Sequence, residues 1–237
     1  MPVLRTCILL VLIICLYISS ATAKEATLAE VISTVEQGYG NLQDLQADFS
    51  QVTTLPGLPR PQKGNGQLLL RRPQKGAAQF RFDYKIPQQQ IISNGSTLWL
   101  YQPAEKQVII ASTAAMLQSG GNLAMSYLTG LGNISKDFTP SFAKPSRDDK
   151  GNYLIQLAPH NPTPALTLLK LTISKEAVEK YLAKNSGSIS FPVVTSIVAD
   201  FNGSETRIDY SRIRTNSGVS TKSFEFSPPK GVEIIKQ

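Results

Sequence analysis

The chain is nearly without the residues that carry most nucleophilic, redox and metal chemistry. Its 237 residues include two cysteines, Cys7 and Cys15, both near the start. They include one histidine, His160, and one tryptophan, Trp99. From residue 16 onward there is no thiol, so disulfides, thiol nucleophiles and cysteine metal sites are excluded there. A lone histidine in a proline-rich loop, Ala158-Pro159-His160-Asn161-Pro162, cannot assemble a zinc site by itself. No Gly-x-Ser-x-Gly elbow, phosphate loop or dinucleotide fingerprint occurs. No spacing of carboxylates singles out an acid/base pair. The expectation is a protein that is not an enzyme and holds no metal or cofactor. Long apolar runs are also lacking after Ile18.

The one such run, Cys7–Ile18, follows Arg5 and precedes Ala21-Thr22-Ala23. A positive residue, a short apolar stretch and an A-x-A site are the signature of an export leader. Residues 1–23 are therefore expected to be removed after Ala23, leaving a single domain over 24–237. Both cysteines leave with the leader. The formal net charge of +7 falls to +6 once Arg5 is gone. The remaining cations are scattered, densest at Arg71, Arg72, Lys75, Arg81 and Lys85. With no recognition motif, no nucleic-acid partner is expected.

What is present is β patterning. The stretch Gln79–Ile86 alternates without a break, with Phe80, Phe82, Tyr84 and Ile86 on one side and Gln79, Arg81, Asp83 and Lys85 on the other. That is the period of a half-buried strand. Its apolar side is large and aromatic, as expected of the wall of a lipid-binding cavity. Before it, Leu68, Leu70 and Arg72 share one parity, and Leu69 and Arg71 the other. After it, Asn94-Gly95 is a hairpin dipeptide between Ile91-Ile92 and Leu98–Tyr101. Residues 54–66 are turn chemistry throughout. Further strands are expected at Leu42–Thr53, where Leu45, Ala47 and Phe49 alternate with polar residues, and at Gln107–Ile110, Tyr153–Leu157, Leu169–Ile173, Val193–Phe201 and Glu205–Arg214, with Asn202-Gly203 as a second hairpin turn. Phe224 and Phe226 mark a last strand.

Helices are few. Thr27 and Glu30 fit a capping box, and Leu28, Val31, Ile32, Val35 and Tyr39 follow at helical spacing. Two short, mostly uncharged helices are expected within Ser112–Gly132, with Met116, Leu123 and Met125 available to face an apolar surface. A further helix is expected over Lys175–Asn185. About ten strands and four helices make a mainly antiparallel sheet, long enough to curl on itself.

Several of these pieces resemble the LolA family, the periplasmic outer-membrane lipoprotein carriers. They are Ala47-Asp48-Phe49-Ser50-Gln51; Gly66-Gln67-Leu68 through Arg72-Pro73; Phe80–Tyr84; Ile92-Ser93-Asn94-Gly95 with Leu98-Trp99-Leu100-Tyr101; and Phe224-Glu225-Phe226-Ser227-Pro228-Pro229-Lys230-Gly231-Val232. The resemblance covers nearly the whole exported chain. It implies a mainly β (α+β) fold: a strongly curved, incompletely closed antiparallel β-barrel with helices over its concave apolar face. It implies a monomeric periplasmic chaperone that takes acylated lipoproteins from an inner-membrane lipoprotein-releasing ABC transporter and delivers them to an outer-membrane receptor. It implies a functional arginine at the end of the second strand, matched by Arg72, with Arg71 competing for the role. The parity of Arg72 with Leu68 and Leu70 makes a lid latch the expected role and a snorkelling surface residue the alternative. The expected acyl-chain cavity comprises Leu68, Leu70, Phe80, Phe82, Tyr84, Trp99, Tyr101, Met116, Leu123 and Met125. Arg72 is expected to donate to backbone carbonyls of the short helices within 112–132. The segment Lys175–Pro192 is longer than the family pattern. The alternatives are a lipid or glycolipid carrier, a lipid-sensing regulatory domain on the same fold, and a hydrolase of envelope polymers.

Overall fold

The computed structural model describes residues 25–118, 133–184 and 191–237. The first helix, α1 (Leu28–Gly40), begins where its cap predicts: the Thr27 hydroxyl accepts from the Glu30 amide, and Glu30 Oε2 accepts from the Thr27 amide at 2.7 Å. Val31, Ile32, Val35 and Tyr39 form its buried stripe. Strands follow as β1 (Asp44–Thr54), β2 (Gln62–Arg71), β3 (Gln79–Ile86), β4 (Gln89–Ser93), β5 (Thr97–Gln102) and β6 (Gln107–Ser112). A short helix, α2 (Thr113–Gln118), leaves β6, and α3 (Ile134–Asp137) leads into β7 (Phe138–Arg147). Then come β8 (Tyr153–Pro159), β9 (Leu168–Ile173), α4 (Lys175–Leu182), β10 (Val193–Ala199), β11 (Glu205–Thr215) and β12 (Glu233–Lys236).

All twelve strands join one sheet in the order β12-β6-β5-β4-β3-β2-β1-β11-β10-β9-β8-β7. Every pairing is antiparallel except β12 on β6. Among the described residues β7 and β12 do not meet, so the sheet stays open. At about 4.8 Å per strand it would be roughly 50 Å wide if flat. Yet Phe82 on β3 and Ile155 on β8, six strands apart, belong to one continuous buried cluster with α1. The sheet therefore curls around a single interior, and α1 lies inside the curl. This is the open, curved, antiparallel architecture with helices that the sequence predicts.

Local differences have local causes. Strands intrude into 54–66, because the turn chemistry is confined to Leu55–Pro61: the Leu58 amide donates to the Leu55 carbonyl across Pro56-Gly57, with Gly57 at φ +82°. Proline then glycine with positive φ is the type II turn pattern. The first hairpin tip is Gly95-Ser96, one residue beyond the Asn94-Gly95 pair, since Asn94 and Thr97 close the turn and Asn94 Oδ1 accepts from the Ser96 and Thr97 amides. Ile86 ends β3 on its surface at 64% exposure, not in the interior. Phe224 and Phe226 are not a strand. Thr221–Phe224 is a 3-10 turn capped by Ser220, and the last strand is Glu233–Lys236.

The C-terminal segment explains those phenylalanines. It straps the outer face of β3–β6, where Arg81 Nη1 donates to the Ser223 carbonyl at 3.2 Å and Phe224 is fully buried. The molecule thus has a second, smaller apolar layer outside the sheet, separate from the curled interior.

Gly66 sits where β2 meets β3 at a register irregularity. A methyl group there would lie 2.9 Å from Tyr84 Cα and collide with the Asp83 carbonyl, both backbone and unable to yield cheaply. Gly66→Ala is expected to destabilise the protein by about 2–3 kcal/mol, read as a lowered urea midpoint at unchanged slope.

Candidate functional site

The interior is built by register. Leu68 pairs with Phe82 and Leu70 with Phe80 across β2 and β3, and Phe82, Ile91 and Leu100 run in line across β3, β4 and β5. Directly opposed residues share a face of the sheet. Leu68, Leu70, Phe80, Phe82 and Tyr84 are all buried in the cluster that packs on α1. Phe49 of β1 joins them, with its ring 5.2 Å from Phe82 and 4.8 Å from Tyr84 between centroids. On the other wall Tyr39 of α1 meets Phe191 at 5.2 Å, and Phe191 meets Tyr210 of β11 at 5.9 Å.

Trp99 and Tyr101 are elsewhere. Trp99 is in line with Arg81, Ile92 and Ile110, on the face opposite Leu98 and Leu100. Both rings contact Phe226 of the C-terminal strap, at 6.3 and 5.6 Å. They belong to the outer layer, and the structure does not bring them together with Phe80 and Phe82. Met116 lies within α2, and its side chain is outside the described residues, as are Leu123 and Met125.

Polar groups inside are sparse and are mostly hydroxyls. Tyr84 donates to Gln51 Oε1 at 2.8 Å, and Tyr210 shares a hydrogen bond with Ser196 at 2.9 Å. The Tyr39 hydroxyl is buried with no partner among the described residues. No cluster of three His, Cys, Asp or Glu suited to a metal occurs among the described residues. His160 lies at the surface, with its ring nitrogens on the Lys136 carbonyl and Thr139 Oγ1. The interior offers apolar surface and little chemistry.

Two arginines stand at the end of β2, and the structure separates them. Arg71 Nη1 donates to Gln79 Oε1 of β3 at 3.3 Å. Arg72, on the parity of Leu68 and Leu70, pairs its amide with the Gln43 carbonyl at 2.7 Å, and its guanidinium donates to the Tyr39 carbonyl in the last turn of α1. That turn carries no basic residue of its own. The Tyr39 carbonyl also accepts from the Leu42 amide at 3.2 Å, so the guanidinium is an added donor, and its charge complements the negative end of the helix dipole. The expected partner was a short helix within 112–132. The described contact is with α1, and residues 119–132 lie outside the described residues. Both arginines border an open cleft of about 740 Å³ with Gln43, Asp44, Val219 and Ser220.

A family model described as the outer membrane lipoprotein carrier protein LolA matches residues 40–227. The chain belongs to the LolA family. A curated outer-membrane lipoprotein carrier protein from Methylococcus capsulatus is 31% identical over 207 residues, 86% of each chain. Its counterpart from Haemophilus influenzae is 27% identical over 215 residues, 89% of each. Among solved structures, an uncharacterized conserved protein from Thermus thermophilus shares the fold at 12% identity and a TM-score of 0.50, covering 88% of this chain and 98% of its own. The matched range includes β1–β3 and both arginines. Within this LolA-family chain, sequence reasoning missed Phe191. The available signal was an aromatic residue just before the alternation of β10, after a serine-rich stretch.

Burial of the interior phenols gives a pH test. Burial pushes Tyr84 up to about 12 and also raises Tyr39 and Tyr210, the nearby Arg72 charge pulling Tyr39 back only in part. An unfolded phenol ionises near pH 10 while the folded one keeps its proton. The stabilisation is full below pH 10 and is lost as pH rises from 10 toward 12. Each such tyrosine steepens the loss by about 1.4 kcal/mol per pH unit. Alkaline unfolding is expected to begin above pH 10, and Tyr84→Phe to flatten the pH dependence by one tyrosine's share, measured by denaturant titration at stepped pH.

Proposed function

We propose that this protein is a carrier of acylated lipoproteins, exported by a leader over residues 1–23 and working in the periplasm as a monomer. In this reading it takes cargo from an inner-membrane lipoprotein-releasing ABC transporter and yields it to an outer-membrane receptor. One observation carries the reading: a curled sheet encloses a mainly apolar interior, and a helix whose end is held by one arginine packs into it. The curated relatives bear the name of lipoprotein carriers. No convergent set of catalytic groups in the described interior competes with that use.

The energetics suit transfer. Acyl chains in a bilayer already gain about 0.8 kcal/mol per buried methylene. An interior of Leu68, Leu70, Phe80 and Phe82 can match that without greatly exceeding it. Loading then needs an energised donor, and unloading needs a receptor with somewhat better burial. The Arg72 bond to the Tyr39 carbonyl stabilises the empty, closed form. A charge-assisted bond of this kind is worth about 1.5–3 kcal/mol net. Cargo entry that lifts α1 has to break it, and cargo release restores it.

Arg72→Leu is therefore expected to bind lipoprotein and to pass it on about ten- to a hundredfold more slowly, while Arg71→Leu transfers as the wild type does. Lipoprotein transfer between donor and receptor membranes measures both. Equal transfer by the two variants overturns the latch. Mass spectrometry of material co-purified with the protein tests the cargo class, and free glycolipid in place of lipoprotein overturns the carrier assignment.

A further inference from the structure

Five large hydrophobic side chains are exposed among the described residues: Leu58, Ile86, Leu182, Phe201 and Ile234. Single exposed hydrophobes are ordinary on a protein surface. Three of these five share one end of the sheet. Leu58, 51% exposed, lies in the β1–β2 connection; Ile86, 64%, ends β3; and Phe201, 78%, lies in the β10–β11 connection. Register places them together: Thr54 pairs with Glu205, Thr53 with Gln62, and Asn65 with Ile86. The strands involved are β3, β2, β1, β11 and β10, which are consecutive in the sheet. At about 4.8 Å per strand the three side chains span an arc of roughly 20 Å.

We propose that this end of the sheet docks on an anionic lipid bilayer, with Leu58, Ile86 and Phe201 entering the headgroup layer and Arg60, Lys63 and Lys85 facing the phosphates.

Charge selects the bilayer over a neutral partner. Arg60, Lys63 and Lys85 are exposed and interleave with the three hydrophobes in sequence and register. Acidic neighbours of the three tips are already engaged, and the exposed Glu233 lies farther off, on the edge strand β12. Glu205 pairs with Lys170 at 2.7 Å, and Asp200 folds into its own turn to accept from the Ser204 amide at 2.8 Å. Glu105 is beside Lys106 in the β5–β6 turn and accepts from Gln107. The end is therefore basic between its apolar tips.

The tips are also held ready. Leu58 closes the Pro56-Gly57 turn, and a side chain at Gly203 would meet the Pro56 ring at 3.5 Å, so the two connections lie side by side. The Phe201 amide donates to the Pro164 carbonyl at 2.8 Å, so the two connections and the β8–β9 connection brace one another. Side chains presented on fixed turns lose little freedom on binding. Three partly buried side chains with three cations give weak, reversible attachment, short of permanent anchoring. The Arg72 cleft is at the opposite end of β2 and stays free in this pose.

The test uses the chain from Lys24 onward, which contains every described element, without cargo. It is floated with vesicles of phosphatidylethanolamine and phosphatidylglycerol, or of phosphatidylcholine alone. Binding is expected to the anionic vesicles only and to fall with added salt. Leu58→Ser and Phe201→Ser should each weaken it about tenfold. Replacing Arg60, Lys63 and Lys85 together by Ser should weaken it about a hundredfold, at about fivefold per cation. Leu182→Ser and Ile234→Ser should leave it unchanged. Absence of binding by the wild type, or binding that Leu58→Ser and Phe201→Ser combined do not alter, overturns the proposal. So does equal loss with Leu182→Ser. Capture of an envelope protein through the same residues with no vesicle binding assigns the surface to that protein instead. Because no cargo is present, these outcomes are independent of whether Arg72 governs lipoprotein transfer.

Discussion

A sheet of twelve strands has far more inner face than one helix can cover. Helix α1, with 13 residues, is about 20 Å long, less than half the width of the flattened sheet. The sheet must therefore bury its apolar face largely against itself, and it does so by curling until β3 and β8 share a core. Everything else depends on that closure. Helix α1, with Ile134 of α3 and Val178 of α4, fills part of the remaining gap. Phe191 comes in from the α4–β10 connection to meet Tyr39 and Tyr210, and among the described residues the edge between β7 and β12 is left as the seam.

The same constraint shows why parity within a strand was legible and parity between faces was not. In β3 the polar and apolar sides differ, so Phe80, Phe82 and Tyr84 declare their face unaided. In β5 the run Leu98-Trp99-Leu100-Tyr101 is apolar on both sides. A strand covered on both faces loses its alternation, and nothing local says which side is inward. The inner pair is Leu98 and Leu100, because they oppose Ala111 and Ile109 on one side and Ser93 and Ile91 on the other. Trp99 and Tyr101 go outward because the strap carrying Phe224 and Phe226 crosses there. The alternation Phe-Glu-Phe suggested a strand. Its aromatic residues have a partner surface to reach, and a 3-10 turn delivers them as well as a strand would. Arg72 was legible by parity with Leu68 and Leu70, but its partner was not, since a helix end 33 residues earlier leaves no mark on the sequence near it.

An interior held shut only by apolar packing would open gradually, one contact at a time. Hydrogen bonding to a helix terminus behaves differently, because it weakens steeply with distance and angle. A cover fastened in this way has two states, and the difference between them is set by a bond of a few kcal/mol in place of the whole buried area. This suits the proposed carrier, whose cargo would gain about as much from a bilayer as from the protein.

Tyr39 is where the fastening and the interior meet. Its carbonyl accepts from Arg72, and its ring packs on Phe191. Its hydroxyl is buried without a partner among the described residues. Carbonyl and ring belong to one residue in the last full turn of α1, so neither moves far alone. A chain inserted between Tyr39 and Phe191 displaces the ring. A shift of about 1 Å at the backbone is then enough to take the carbonyl out of hydrogen-bond range. In the proposed carrier, occupancy of the interior would therefore be coupled to release of the helix through one residue, Tyr39.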